Sequence, residues 1–313
     1  MNILITAIGS MSALCVINKL HEVGHKIIGC DIYPREWHFE ASLCDIFRQA
    51  PFATSPNEYI SFLVNLAKCN NVKYIIPLTD LEIDVINRHR EVFENNGMVL
   101  CMPSTEVLSI VRDKYALYNF FLDDAFVPSI ESHLNDIGIS DIKIPCVAKP
   151  RCGRSSEGLM YIHSQNELKT LGGKQNYIIQ DFKPGSIFTV DYVRNNKSNR
   201  DFLVGREELL RTKNGAGLTV RIVNDESLYE LVSYIGNKLC INGCVNMEFI
   251  KSDNKYFLID INPRFSAGVA FSLLAGYDMV NNHLNCFSGK DIMPGVAFKT
   301  TIMVKKYVEH IIK

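Results

Sequence analysis

The sequence predicts a parallel α/β domain followed by a strand-rich α+β region. Strands and helices alternate over the first hundred residues, and the pattern breaks after Pro103. From about residue 126, short apolar runs succeed one another with few helices between them. At 313 residues the chain exceeds one ordinary hydrophobic core, so two or three packed units are expected.

In chain order, NILITAI reads as a strand and MSALCVINKLHEVG as a helix that stops at a glycine. KIIGCDI is a second strand, NEYISFLVNLAKC a helix and VKYIIPL a buried third strand. LEIDVINRHREVFENNG is again helical and glycine-stopped, before the strand MVLCM. This alternation places a parallel sheet, covered on both faces, at residues 1–103. STEVLSIVRDKYALYNFFLDD then reads as helix. The candidate strands beyond it are IPCVAKP, GLMYIHS, NYIIQDF, IFTVDYV, RDFLVGREELL, LTVRIV and the two halves of VNMEFIKSDNKYFLIDINPRF. Ser164 and Glu167 form a capping-box pattern for one helix, and another runs from about Asp225 to Leu239.

Composition narrows function by exclusion. Basic and acidic side chains number 33 and 34, so no broad nucleic-acid footprint is expected and any phosphate binding should be local. No run approaches a membrane span, and MNILITAIGS lacks the basic start of a signal peptide. Ten scattered cysteines without a C-x-x-C pair read as reduced thiols. A cytoplasmic protein with neither nucleic-acid nor membrane partners is the expectation.

Gly9 after the first strand and Asp31 after the second faintly match a dinucleotide site. However, Ile8-Gly9-Ser10-Met11-Ser12 supplies one glycine where the fingerprint needs three, so a scaffold without a dinucleotide is the better reading. VAKPRCGRSSEG is more informative. Lys149 closes an apolar strand, and the loop after it carries Gly153, Ser155, Ser156 and Gly158 between Arg151, Arg154 and the next strand. Small residues let backbone N–H groups line a concavity and hydroxyls add donors, which suits phosphate oxygens better than it suits a bland turn. YIIQDFKPG, a strand running into a Pro-Gly turn, is uninformative by itself.

VNMEFIKSDNKYFLIDINPRF places Glu248, Asp260 and Asn262 in apolar strands. Asp260 and Asn262 share a face because side chains alternate. An odd-length hairpin loop, such as Ser252-Asp253-Asn254, would bring Glu248 to that face as a diagonal neighbour of Asp260; an even loop would turn it away. Two carboxylates and an amide oxygen form a hard set suited to Mg²⁺, and Arg264 could clamp an anionic oxygen. Surface acids on an exposed hairpin would account for Glu248 but poorly for the run D-x-N-P-R.

Taken together, Lys114 in RDKYA, Lys149 with its Gly/Ser loop, QDFKPG, and Glu248 with DINPR twelve residues later resemble the ATP-grasp family. The resemblance covers residues 104 to about 290. The first hundred residues resemble the parallel domain of its carbamoyl-phosphate-synthetase-like and carboxylate–amine ligase members. It implies an α+β ATP-grasp fold of two lobes, the smaller at 104–183 with its linker helix and the larger at 184–313. ATP would lie between them, with Lys114 and Lys149 on its phosphates and the 153–158 loop above. Backbone groups of Gln180, Asp181, Phe182 and Lys183 would read the adenine. Glu248, Asp260 and Asn262 would hold Mg²⁺, with Mn²⁺ as a substitute. Lys149 and Arg264 would serve catalysis.

The implied activity is an ADP-forming ligase that makes an acyl phosphate from a carboxylate for attack by an amine. Three positions depart from the pattern: Ile187 stands where relatives often carry a ribose-binding Glu, Asp260 replaces a Glu, and Ser155 a Gly. The alternative is a non-catalytic nucleotide sensor or partner subunit. A dinucleotide-dependent oxidoreductase is disfavoured by the missing glycines. Substrate-lining loops are expected at Thr79-Asp80 and Ser266-Ala267-Gly268, and Arg206, Arg211 and Arg221 could receive an acidic substrate or lie on the surface. The first domain could support a homodimer.

Overall fold

A computed structural model describes residues 1–127, 130–133, 142–153, 157–171, 174 and 176–312. The first unit runs β1 (Asn2–Ile5), α1 (Ala13–Glu22), β2 (Lys26–Asp31), α2 (Glu40–Leu43), β3 (Ile46–Gln49), α3 (Pro56–Cys69), β4 (Tyr74–Ile76), α4 (Asp80–Arg88), α5 (Arg90–Glu94) and β5 (Val99–Leu100). Its strands form one parallel sheet in the order β3-β2-β1-β4-β5. The edge strand β3 escapes the periodicity because Arg48 and Gln49 are both exposed and only Phe47 is buried. The predicted helix after β4 breaks at His89 into α4 and α5.

The helical stretch after Pro103 is also two helices, α6 (Thr105–Val111) and α7 (Lys114–Phe120). Asp113 separates them because its carboxylate accepts the N–H groups of Tyr115 and Ala116, the competition by which an acidic cap starts a new helix. Lys114 thereby becomes the first residue of α7 instead of a mid-helix position.

Next come β6 (Ile130–His133), β7 (Cys146–Pro150), β8 (Met160–Ile162), α8 (Gln165–Lys169) and β9 (Tyr177–Asp181), an antiparallel sheet in the order β6-β9-β7-β8. This sheet has a small core of its own around Ala148, Ile162, Leu168 and Ile179. Pro184-Gly185 leads to the third sheet, and Gly185 is required there because a Cβ would overlap the Lys251 carbonyl.

The third sheet contains β10 (Ser186–Asn195), β11 (Arg200–Arg211), β12 (Gly217–Val223), β13 (Gly243–Ser252), β14 (Lys255–Asn262) and β15 (Ile302–Val304), antiparallel in the order β14-β13-β10-β11-β12-β15. The connecting helices are α9 (Glu226–Lys238), α10 (Val269–Leu274) and α11 (Met279–Ser288). One face, with Val190, Tyr192 and Met247, buries Leu228, Val232 and Ile235 of α9. The other face packs Val193, Val204 and Cys244 against α10, α11 and residues of the first unit. Two cores therefore run from the parallel sheet into the six-stranded sheet.

His283 of α11 latches this seam, with Nδ1 accepting from the Cys244 N–H at 2.8 Å and Nε2 facing the Cys101 carbonyl at 3.1 Å. Burial lowers its pKa to about 4, so the ring is neutral at ordinary pH. No disulfide joins the ten cysteines, and no helix among the described residues is long and apolar enough to cross a membrane.

The contact of α9 with β10 gives a stability test. A Cβ at Gly236 would overlap the Tyr192 ring, which is fully buried and whose hydroxyl donates to Asp201 at 2.9 Å. Gly236→Ala is expected to destabilise the fold by about 1–3 kcal/mol, read as a lower urea midpoint.

Candidate active site

The β13–β14 hairpin turns through two residues, Asp253 and Asn254, both at positive φ (+47° and +60°). The three-residue loop expected above is thus corrected. By turn parity alone Glu248 would face Ile259, but a bulge between Glu248 and Phe249 inserts one extra residue in β14. Glu248 then pairs directly with Asp260, Met247 with Ile261 and Asn246 with Asn262. The result is one face carrying two carboxylates and two amides, Glu248 and Asp260 as cross-strand partners instead of diagonal ones.

Like charges directly opposite repel, and β11 of the same sheet and helix α7 supply the compensation. Arg211 Nη2 lies 3.1 Å from Glu248 Oε2, and Lys114 Nζ lies 3.5 Å from Asp260 Oδ2. Burial raises the Glu248 pKa, with Arg211 opposing the shift and Asp260 adding to it. Lys149, 8% exposed, donates to the carbonyl of Ile259 at 3.3 Å. The bulge thus also offers an acceptor to the four-stranded sheet. Burial first, then the charge of Lys114, lowers the Lys149 pKa to about 8 against the pull of Asp260 and Glu248.

These groups converge on a cavity of about 500 Å³. Lys114, Lys149 and Gly153 line it opposite Glu248, Asp260, Asn262 and Arg264, with Ser266, Ala267 and Gly268 at one end. Gln180 lines a small adjoining cavity with Lys114, Lys149 and Leu258. Gly158, Asp181, Phe182 and Lys183 line neither. At Gly158 (φ +73°) a Cβ would crowd the Tyr177 hydroxyl, and the Phe182 ring lies against Tyr161 and His163. Ser155 and Ser156 lie outside the described residues.

Of the three open arginines, Arg221 stays outside and pairs with Glu207 at 2.6 Å. Arg211 and Arg206 line the cavity. Arg206 is almost fully buried, bonded to Asp191 at 2.8 Å, Glu208 at 3.2 Å and the Ser266 hydroxyl at 3.0 Å. Thr79 and Asp80 do not reach either cavity. The residues missed include Asn246, Thr189, Glu208, Glu157, Met11, Tyr307 and most of the 212–217 turn. Strand parity could have found Asn246 and Thr189, which share the face of Glu248. Nothing local marks Met11 or Tyr307.

Among the described residues no three His, Cys, Asp or Glu gather into a metal cluster. The candidate set is two carboxylates with the amide oxygen of Asn262, which accepts from Arg264 Nη2 at 3.3 Å. Such hard oxygen donors suit Mg²⁺, whose remaining ligands are water and phosphate. The carboxylates already carry side-chain cations in the structure, so the donor chemistry fits a divalent cation there.

A family model described as an ATP-grasp domain matches residues 111–268, about half of the chain. A D-alanine–D-alanine ligase of Petrotoga mobilis is 21% identical over 256 residues, 71% of this chain and 84% of the relative. Among solved structures, pyruvate carboxylase T882A from Rhizobium etli, with acetyl coenzyme A, superposes with a TM-score of 0.77 at 16% identity. That match covers 93% of this chain but spans only 29% of the larger one. The biotin carboxylase domain of Hydrogenobacter thermophilus 2-oxoglutarate carboxylase, solved with MgADP, ADP and bicarbonate, gives 0.76 at 16% identity over 93% of this chain and 70% of that one. At these identities the structural likeness is one of fold.

The lowered pKa of Lys149 predicts a pH dependence. The charged form prevails below about pH 8 and is lost as pH rises through that value. Affinity for ATP is therefore expected to fall above pH 8, measured by equilibrium titration, with the step absent in Lys149→Arg.

Proposed function

The chain belongs to the ATP-grasp family, one of whose members here is a carbon–nitrogen ligase, and on that premise we propose that it is an ATP-dependent, ADP-forming ligase. Its substrates would be a small carboxylate and an amine. One observation supports this most: Lys114 of α7 and Lys149 of the four-stranded sheet line a single cavity with Glu248, Asp260 and Asn262 of the six-stranded sheet and with Arg264 just past β14.

In this reading Lys114 and Lys149 hold the β- and γ-phosphates, and Gln180 marks the adenine end through the small adjoining cavity. Glu248, Asp260 and Asn262 would hold Mg²⁺, which supplies charge neutralisation at the phosphates when bound. A carboxylate oxygen attacks the γ-phosphorus and ADP departs. The amine nitrogen then attacks the acyl carbon, phosphate leaves, and the nitrogen loses a proton. Arg264 stabilises the transferred phosphoryl group by opposing the charge on its oxygens. Thr189 Oγ1 and Glu208 Oε2 belong to cavity-lining residues and have no hydrogen-bond partner among the described residues; an amine offers N–H donors to such acceptors. Ile187 supplies no carboxylate for the ribose.

The reading is tested by screening amino acids and other amines with small carboxylates for stimulated ADP release, with hydroxylamine added to trap an acyl phosphate as hydroxamate. No stimulation and no hydroxamate would favour the nucleotide-sensor alternative. Glu248→Gln is expected to lower kcat about 100-fold with an unchanged thermal midpoint; near-normal turnover would remove Glu248 from the metal set.

A further inference from the structure

Arg264 enters the cavity at the end of a charged chain that begins in the parallel-sheet unit. Its Nε donates to Asp80 Oδ2 at 2.8 Å, across a sequence separation of 184 residues. Asp80 is the first residue of α4 and is 2% exposed. Its other oxygen accepts from Arg112 Nη1 at 3.2 Å, and Arg112 forks onto Asp84 at 2.8 and 2.9 Å. Burial opposes the Arg112 charge, but Asp84 and Asp80 outweigh it and raise its pKa.

A carboxylate bonded to Nε fixes the rotation of a guanidinium and leaves the two terminal nitrogens for other partners. In Arg264 those nitrogens contact the Phe265 carbonyl at 3.2 Å and Asn262 Oδ1 at 3.3 Å. Arg264 lines the cavity and Asp80 does not, so Asp80 can act there only through the arginine. Arg112 is also the first of three consecutive residues that tie different parts together. Asp113 accepts from Arg151 at 2.7 Å, and Lys114 pairs with Asp260.

We propose that Asp80 is a positioning residue for Arg264. It holds the guanidinium by Nε so that the terminal nitrogens face the phosphoryl group, and Arg112 locks Asp80 in turn. The assignment rests on the phosphoryl role given to Arg264 above.

The test compares Asp80→Asn, Arg264→Ala and their double variant in the full chain, with Asp84→Asn as a control that disturbs the same cluster without touching Arg264. The readout is the ratio of affinities, with Mg²⁺, for the non-hydrolysable ATP analogue AMP-PNP over ADP, alongside the thermal midpoint. Arg264→Ala is expected to lower the ratio about tenfold, the scale of one charge-assisted contact. Asp80→Asn should reproduce most of that loss, add nothing in the double variant and leave ADP affinity nearly unchanged. Asp84→Asn should keep the ratio. A normal ratio in Asp80→Asn, an equal loss in Asp84→Asn or additive losses in the double variant would overturn the assignment. An unchanged ratio in Arg264→Ala would remove the phosphoryl role, and the positioning role with it. Should Asp80→Asn not fold, Asp80→Glu retains the charge but displaces it by a methylene; a lowered ratio supports the assignment and a normal one overturns it.

Discussion

One extra residue in β14 controls the chemistry of the whole cavity. Without the bulge at Ile259, a two-residue turn would leave Glu248 and Asp260 on opposite faces of the hairpin. With it, two carboxylates meet across the ladder, Asn246 and Asn262 fall in beside them, and the Ile259 carbonyl accepts from Lys149. The same irregularity therefore creates a repulsion and recruits a cation from another sheet. Lys114, Lys149 and Arg211 gather where that negative charge would otherwise go unbalanced, so the cations that line the cavity follow from the acids it surrounds.

The surrounding architecture divides this task unevenly. The six-stranded sheet carries the acids and Arg211 on long strands, and Arg264 follows two residues after the end of β14. The four-stranded sheet, with its separate small core, contributes Lys149, and Gly153 and Glu157 follow it into the cavity lining. Lys114 sits between them because Asp113 starts a fresh helix at that point and at the same time accepts from Arg151. A residue that looks like one more position in a long amphipathic helix thus becomes the ion-pair partner of Asp260.

Much of this was legible in the sequence, for reasons that differ by element. The parallel unit announces itself because buried strands and glycine-stopped helices leave strong periodic signals, whereas β3 hides behind two exposed polar residues. The acids were found because carboxylates are conspicuous in apolar strands. Their pairing was misjudged because turn length and bulges are properties of backbone conformation: Asp253 and Asn254 accept positive φ, and a composition of "KSDNK" does not say how many residues will turn. Asp80 looked like a substrate-lining loop residue. Its actual partner, Arg264, lies too far along the chain for any local pattern to join the two.

The His283 latch has a consequence for how such a chain can be rebuilt by genetic exchange. It joins α11 to the Cys101 carbonyl, just as Lys19 reaches Asp278 at 3.6 Å and Asp80 holds Arg264, so the first unit and the six-stranded sheet meet through partners contributed from both sides. Replacing either half with that of a distant relative would strand buried polar groups on the other. The four-stranded sheet closes its own core, and it is the segment that can be traded with the least repair.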